Sequence, residues 1–352
     1  MAPISEPNIP TVDLSAFVTA TNEAAKQEAA DKLVQVCHRL GFVAITGHGI
    51  SKALLAEAFA WSKKLFDLPL EEKMKAPHPV EATPHRGYSH PGKEKVYGYD
   101  DLNEKEVNDS KGQSLRKIPD FKESYEIGSE DNPEEPNIWL PEEVLPGYRE
   151  FMVKFYWELN EAATRILNAF AMGMKLEGEE ADMIMKLNSL HSNQLRLLHY
   201  PEVPREAIEN QELARMPAHT DWGSFTLLFQ DDCGGLELED PQNRGTYLAA
   251  KPTEGTVLLN IGDFFMRLTN DFFVSATHRV TLPPPTSSST TTTKPRYSIP
   301  YFVSPPMSLI AKALPTYVSE EKPVKYEACS FAEYAAHISK YQYGGPAKEV
   351  TA

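Results

Sequence analysis

A chain of 352 residues with 41% hydrophobic content is long enough to bury one large core or two smaller ones. Its 35 Lys and Arg stand against 50 Asp and Glu, and the net charge of −15 argues against nucleic acid or an anionic membrane as partner. Three scattered cysteines, Cys37, Cys233 and Cys329, form no C-x-x-C pair and fit a reducing compartment better than secretion.

Residues 1–10 carry neither a basic stretch nor an apolar core, so no secretory leader is expected. No run approaches the roughly 18–20 apolar residues that span a bilayer. Lys348-Glu349-Val350-Thr351-Ala352 matches no address signal, and the expected location is cytoplasmic. Ile9-Pro10-Thr11-Val12-Asp13-Leu14 reads as a first short strand. A helix over Glu23–Leu40 follows, with Ala25, Ala29, Leu33, Val36, Cys37 and Leu40 on one face and Gly41 at its stop. Phe42–Ile45 reads as a buried strand. Ser51 caps a second helix with the stripe Leu54, Leu55, Ala58, Phe59, Leu65 and Phe66.

Between Pro77 and Pro146 the chain is polar, charged and rich in Pro and Gly, with ordered hints near Tyr88 and Phe121–Ile127. Such a segment serves as a binding loop about as often as a plain surface excursion. A long helix over Tyr148–Met174 has an apolar face that suits a support for a sheet. After Asn193 the period becomes two. The predicted strands are Leu195–Tyr200, Ser224–Gln230, Gly235–Glu239, Thr246–Ala250, Thr256–Ile261, Phe272–Leu282 and Arg296–Ser304. Helices in front and many short strands behind predict an α+β chain with a double-sheet, jelly-roll core. Pro283-Pro284-Pro285 and the Ser/Thr run Thr286–Thr293 read as a mobile loop.

Of ten histidines, only His219 has a carboxylate two residues on, Asp221; on a strand both would point to one face. A bare H-x-D is common by chance. The chain has no H-x-H and no H-E-x-x-H. His278 lies 278 − 221 = 57 residues beyond Asp221 in an alternating window, either as a third ligand or as an ordinary half-buried strand histidine. Two imidazoles and one carboxylate on one face of an ion suit an Fe(II) oxygenase. In Arg296-Tyr297-Ser298, the guanidinium and hydroxyl share a strand face and could hold the far carboxylate of a dicarboxylic acid, with Tyr200 adding a phenolic hydrogen bond. Alternatively, Arg296 is a surface residue and Tyr200 a core one.

The front half contains Ile9–Ser15, Gly41-Phe42-Val43-Ala44-Ile45-Thr46-Gly47-His48-Gly49-Ile50, Arg86-Gly87-Tyr88 and Lys122-Glu123-Ser124-Tyr125-Glu126. The rear half contains His219-Thr220-Asp221-Trp222-Gly223, Gly234-Gly235-Leu236-Glu237-Leu238, Leu259-Asn260-Ile261-Gly262-Asp263 and His278-Arg279-Val280. Almost end to end, the chain resembles the isopenicillin-N-synthase-like family of Fe(II)/2-oxoglutarate-dependent dioxygenases. The resemblance implies a distorted double-stranded β-helix flanked by helices. It implies an N-terminal dioxygenase region over residues 1–150 and a catalytic region over residues 151–352. It implies iron ligands His219, Asp221 and His278, a 2-oxoglutarate clamp of Arg296 and Ser298, and a structural role for His48.

Two departures stand out. Leu198 occupies a place where the family commonly has Asn, which makes that wall apolar. The His278–Arg296 interval is 296 − 278 = 18 residues, longer than typical, and the Ser/Thr run accounts for the excess. By resemblance, Fe(II), 2-oxoglutarate and O2, with ascorbate as a candidate reductant, would oxidise a small organic molecule in secondary metabolism. Hydroxylation is the default outcome; desaturation, epoxidation, ring closure or ring expansion need only a different fate of the substrate. The expected substrate pocket takes in the 77–146 segment, Leu198, Phe264–Leu268, Phe302 and a C-terminal helix near Phe331–Tyr341. The alternatives are an iron oxidase of the same fold without 2-oxoglutarate, a non-catalytic binding member, and a zinc-type hydrolase.

Overall fold

The switch in periodicity near residue 193 marks a change from helices to sheets. The computed structural model describes residues 9–19, 22–79, 85–92, 121–210, 212–282 and 291–343. The front half contributes β1 (Thr11–Asp13), α1 (Ser15–Thr19), α2 (Glu23–Leu40), β2 (Phe42–Thr46), α3 (Lys52–Phe66), α4 (Leu70–Lys73), β3 (Gly87–Ser89) and β4 (Glu123–Ile127). The rear half begins with α5 (Tyr148–Gly173) and α6 (Gly178–Met185). It continues with β5 (Gln194–Tyr200), α7 (Arg205–Glu209), β6 (Met216–His219), β7 (Phe225–Gln230), β8 (Leu236–Glu239), β9 (Tyr247–Ala249) and β10 (Val257–Ile261). Helix α8 (Asp263–Leu268), β11 (His278–Val280), β12 (Arg296–Val303) and α9 (Phe331–Tyr343) complete it.

Eight strands form the larger sheet in the order β1-β2-β10-β7-β12-β5-β4-β3, and four form the smaller one, β6-β11-β8-β9. This is the expected α+β jelly roll. Alternation sends every second residue of the large sheet inward. Arg296, Ser298, Pro300 and Phe302 face the interior between the sheets, while Ile299, Tyr301 and Val303 join the helical core. That core, in which α2 lies along α5, supports the outer face of the large sheet. A second apolar cluster, including Phe42, Leu236, Leu238, Leu258 and Val280, closes one end between the two sheets.

Local signals act where the sequence places them. Asn22 caps α2 by accepting from Ala24 and Ala25 N–H at 3.0 and 3.2 Å. Gly41 ends α2 at φ +67°, and a Cβ there would stand 2.2 Å from the Val274 carbonyl oxygen, so only glycine fits both constraints. Ser51 Oγ accepts from Leu54 N–H at 3.1 Å. The front half is tied to the jelly roll through Glu123, which accepts from Lys73 Nζ at 2.7 Å and Tyr88 OH at 2.6 Å and lies 2.7 Å from His199 Nδ1.

Three expectations change. The predicted strand Phe272–Leu282 shrinks to His278–Val280, because Asn270 and Asp271 adopt left-handed φ of 49° and 61° and lead into an irregular stretch. Asp221 lies just past the end of β6 rather than on it. Of the Ser/Thr run, residues 286–290 lie outside the described residues, as do 80–84 and 93–120 of the long polar excursion. Thr291–Thr293 are ordered against the neighbouring segment: Thr293 N–H donates to Val203 O at 2.8 Å and its Oγ1 accepts from Val203 N–H at 3.1 Å. Among the described residues no helix is long and apolar enough to cross a membrane.

Candidate metal centre and active-site cavity

Antiparallel pairing of β11 with β6 sets His278 directly opposite His219. Their ring centroids are 4.3 Å apart, and each Nε2 lies 3.9 Å from Asp221 Oδ1. One ligand atom from each of the three residues falls within 4.8 Å of the others. The surroundings select which atoms are available. His219 Nδ1 lies 2.9 Å from the Pro217 carbonyl and His278 Nδ1 lies 3.1 Å from that of Ala276, an arrangement that places the proton on Nδ1 and the lone pair on Nε2. Asp221 Oδ2 accepts from Thr226 Oγ1 at 2.5 Å and Asn260 Nδ2 at 2.6 Å, which leaves Oδ1 turned toward the histidines.

The protonation states follow. Burial and then the neighbouring His278 push the His219 imidazole down to about 4. Burial pushes the Asp221 carboxyl up, but His278, His219 and its two hydrogen bonds outweigh that and hold it below the usual carboxylate range. At neutral pH the group is therefore a neutral imidazole beside a charged carboxylate, the state that a divalent cation requires. The donor set, with all second atoms already engaged, fits an Fe(II) ion bound on one face.

The three residues stand at one wall of a cavity of about 540 Å³. Strand register arranges its other walls in rungs. Tyr200 pairs with Arg296, Leu198 with Ser298 and Gln194 with Phe302; from β7, Gln230, Leu228 and Thr226 pair with Ser298, Pro300 and Phe302. At the closed end Arg296, 1% exposed, donates to Gly234 O at 3.1 Å, Ser298 Oγ at 2.9 Å and Gln230 Oε1 at 3.2 Å. These are neutral acceptors, so a buried guanidinium next to a polar hydroxyl fits the far carboxylate of a dicarboxylic acid. Tyr200 lies under that guanidinium, 5.3 Å from its ring centroid, and its hydroxyl meets no protein partner among the described residues. Leu198, 5% exposed, makes the apolar wall beside Ser298.

At the other end the Arg196 guanidinium lies 5.7 Å from the Phe302 ring and donates from Nε to Glu126 at 2.7 Å, while Arg86 pairs with Glu135 at 3.0 Å. Phe331, Ala332, Ala335 and Ala336 of α9 close this side. Helix α9 is held by Tyr334 OH, which donates to Asp263 at 2.7 Å; Thr220, between the two front ligands, donates to the same oxygen at 3.1 Å.

His219, Asp221, His278, Arg296, Ser298, Tyr200, Leu198 and Phe302 thus meet in one cavity. Phe264 does not line it: the first turn of α8 directs this ring into the core, edge-on to Phe331 at 5.3 Å. His48 lies outside the cavity, accepting Ile50 N–H at 3.1 Å and meeting Phe229 edge-on. Reading by motif missed Thr226, Gln230 and Asn260. Their signal was available: each is a polar residue that alternation turns inward from an otherwise apolar strand.

Two family models match the chain: one described as non-haem dioxygenase in morphine synthesis N-terminal, over residues 9–143, and the 2OG-Fe(II) oxygenase superfamily, over residues 191–305. A 2-oxoglutarate-Fe(II) type oxidoreductase of Metarhizium rileyi is 35% identical, covering 98% of this chain and 94% of the relative. A proline hydroxylase of Petromyces alliaceus is 38% identical, covering 87% and 91%. Among solved structures, a full-length Neurospora crassa protein in complex with alpha-KG and thymine superposes with a TM-score of 0.80 at 35% identity, covering 95% and 96% of the two chains.

Proposed function

The chain belongs to the 2OG-Fe(II) oxygenase superfamily, and we propose that His219, Asp221 and His278 hold its iron while Arg296, Ser298 and Tyr200 hold 2-oxoglutarate. The protein is an Fe(II)- and 2-oxoglutarate-dependent oxygenase that oxidises a small organic molecule. Iron held by these three residues would supply the redox chemistry, with 2-oxoglutarate as the co-reductant of O2. The observation that carries the residue assignment is the pairing of two features in one cavity: three convergent free ligand atoms, and a buried arginine whose hydrogen-bond acceptors among the described residues are neutral.

The rest of the work falls to positioning. Nδ1–H contacts and the Thr226 and Asn260 hydrogen bonds fix the ligands in place. Ser298 and Arg296 receive the far carboxylate; Leu198, Leu228 and Pro300 keep water from the middle of the cavity. The substrate occupies the end bounded by Phe302, Gln194, Trp222 and α9. A relative named a proline hydroxylase and a neighbour holding thymine support a compact ring compound, and the cavity is of a size for small ligands. Hydroxylation in secondary metabolism is the default reaction, with ascorbate as reductant, and the three free cysteines favour a cytosolic setting.

The test is anaerobic reconstitution with Fe(II) and titration of 2-oxoglutarate, followed by the weak visible charge-transfer band of a chelated keto acid. The expected result is a saturable band, absent in His219→Ala and weakened in Arg296→Ala. Tight iron binding without a band would sink the cosubstrate assignment in favour of an oxidase. Undiminished iron binding in His219→Ala would refute the ligand set.

A further inference from the structure

Two arginines are buried at the closed end of the cavity, and the clamp accounts for only one. Arg215, 2% exposed, lies just before β6; it donates from Nη2 to the Lys294 carbonyl at 2.8 Å and points Nη1 at Cys233 Sγ, 4.0 Å away. Its Nε has no partner among the described residues. The guanidinium carbons of Arg215 and Arg296 lie 5.7 and 5.3 Å from the centroid of the same Tyr200 ring, so the two charges are at most about 11 Å apart.

Burying two like charges this close is unfavourable unless something answers them. Their hydrogen-bond partners are carbonyls, a hydroxyl, an amide and a thiol. One acid, Asp231, does feel the Arg296 charge, but its two oxygens accept from Tyr297 N–H at 2.6 Å and Cys233 N–H at 3.0 Å. Among the buried charges, two guanidiniums and Asp231 leave a single positive charge, which one carboxylate would neutralise; Asp232 on the same turn is exposed and screened by water. Without Arg215, Arg296 and Asp231 would cancel, and an incoming carboxylate would face a neutral pocket.

We propose that Arg215 is a positioning residue that acts through the clamp, giving the closed end its net positive charge and so selecting a dicarboxylic keto acid over a monocarboxylic one of equal length. This inference rests on the cosubstrate reading above. Arg215 touches neither cosubstrate nor metal, and its effect is carried by field rather than contact. Removing one unit charge about 10 Å away, at an effective dielectric of about 20, changes affinity by roughly tenfold.

The experiment titrates 2-oxoglutarate and 2-oxopentanoate into anaerobic Fe(II)-loaded wild type, Arg215→Met and Arg215→Lys, with the charge-transfer band as readout. Arg215→Met is expected to weaken 2-oxoglutarate about tenfold and leave 2-oxopentanoate unchanged, while Arg215→Lys keeps the preference. Should Arg215→Met fail to fold, Arg215→Gln, which retains a donor for the Lys294 carbonyl, carries the same expectation. Equal weakening of both keto acids, no change in either, or a loss of preference in Arg215→Lys matching that in Arg215→Met would overturn the proposal. A wild type that gives no band with either compound would instead overturn the cosubstrate reading on which it rests.

Discussion

Removing the Asn260 amide tests whether the groups behind Asp221 set metal affinity. Asn260 Nδ2 donates to Asp221 Oδ2 at 2.6 Å, and Thr226 Oγ1 donates to the same oxygen at 2.5 Å. Asn260 is 2% exposed, so no bulk water replaces the lost donor. A hydrogen bond to a charged group contributes about 1.5–3 kcal/mol. At about 1.4 kcal/mol per decade that is roughly 10- to 100-fold in the Fe(II) dissociation constant, the range expected when a group supporting a metal ligand is removed. Asn260→Ala should therefore bind Fe(II) about 10- to 100-fold more weakly, and its metal uptake should need a higher pH because the Asp221 carboxyl loses a group that holds it low. Anaerobic calorimetric titration with Fe(II), repeated with Co(II), measures this. Asn260→Leu separates the lost donor from the lost volume, since it fills the space without donating. Thr226→Val should act in the same direction, and the double variant should lose more than either. Binding within about twofold of wild type in Asn260→Ala, with the fold intact by circular dichroism, would refute the reasoning.

The metal-free protein should lose stability as the pH falls from about 6.5 toward 4. The folded state holds His219 down to about 4 and Asp221 below its usual value, so both contribute stability that is present above their unfolded values and is lost on acidification. For His219 the loss is at most on the order of 3 kcal/mol. Urea denaturation at several pH values with chelator should show the slope, and His219→Gln should flatten it; parallel curves would count against the assigned shift. Glu126→Ala should destabilise the protein by about 1.5–3 kcal/mol, because the charge-assisted hydrogen bond from Arg196 Nε–H to Glu126 at 2.7 Å would be lost in a buried setting. A melting temperature unchanged from wild type would contradict that.

How far the site could be read in advance depended on where the determining contacts lie along the chain. His219 and His278 were legible through windows that resemble the family, since a bare H-x-D is common by chance, and the pairing of β6 with β11 brings the two together. Arg296 and Ser298 were legible because i and i+2 on one strand share a face. Asp221 joins the two histidines for a reason other than the expected one: it sits past the strand end, and Thr226 and Asn260 rather than strand alternation fix its direction. Helix α8 went unread because its six residues offer too short a period, and its neighbour Gly262 lies hard against the backbone of Gly223, a contact between distant segments. Phe264 was expected in the pocket with the rest of its segment, yet helix geometry turns it into the core. Arg215 carried no local signal; its setting beside Tyr200 and Cys233 depends on three separate strands and loops.

The rungs of β5 and β12 also set distances along the cavity. Strand residues advance about 3.3 Å each, so the six steps from Arg296 to Phe302 measure about 20 Å, well beyond the length of a five-carbon diacid. The proposed cosubstrate end and the proposed substrate end therefore occupy different marks on one ruler. Replacements at Gln194, Phe302 or the alanines of α9 would reshape the proposed substrate end while the proposed clamp of Tyr200, Arg296 and Ser298 stays untouched. A scaffold graduated in this way lets the substrate end be altered one side chain at a time.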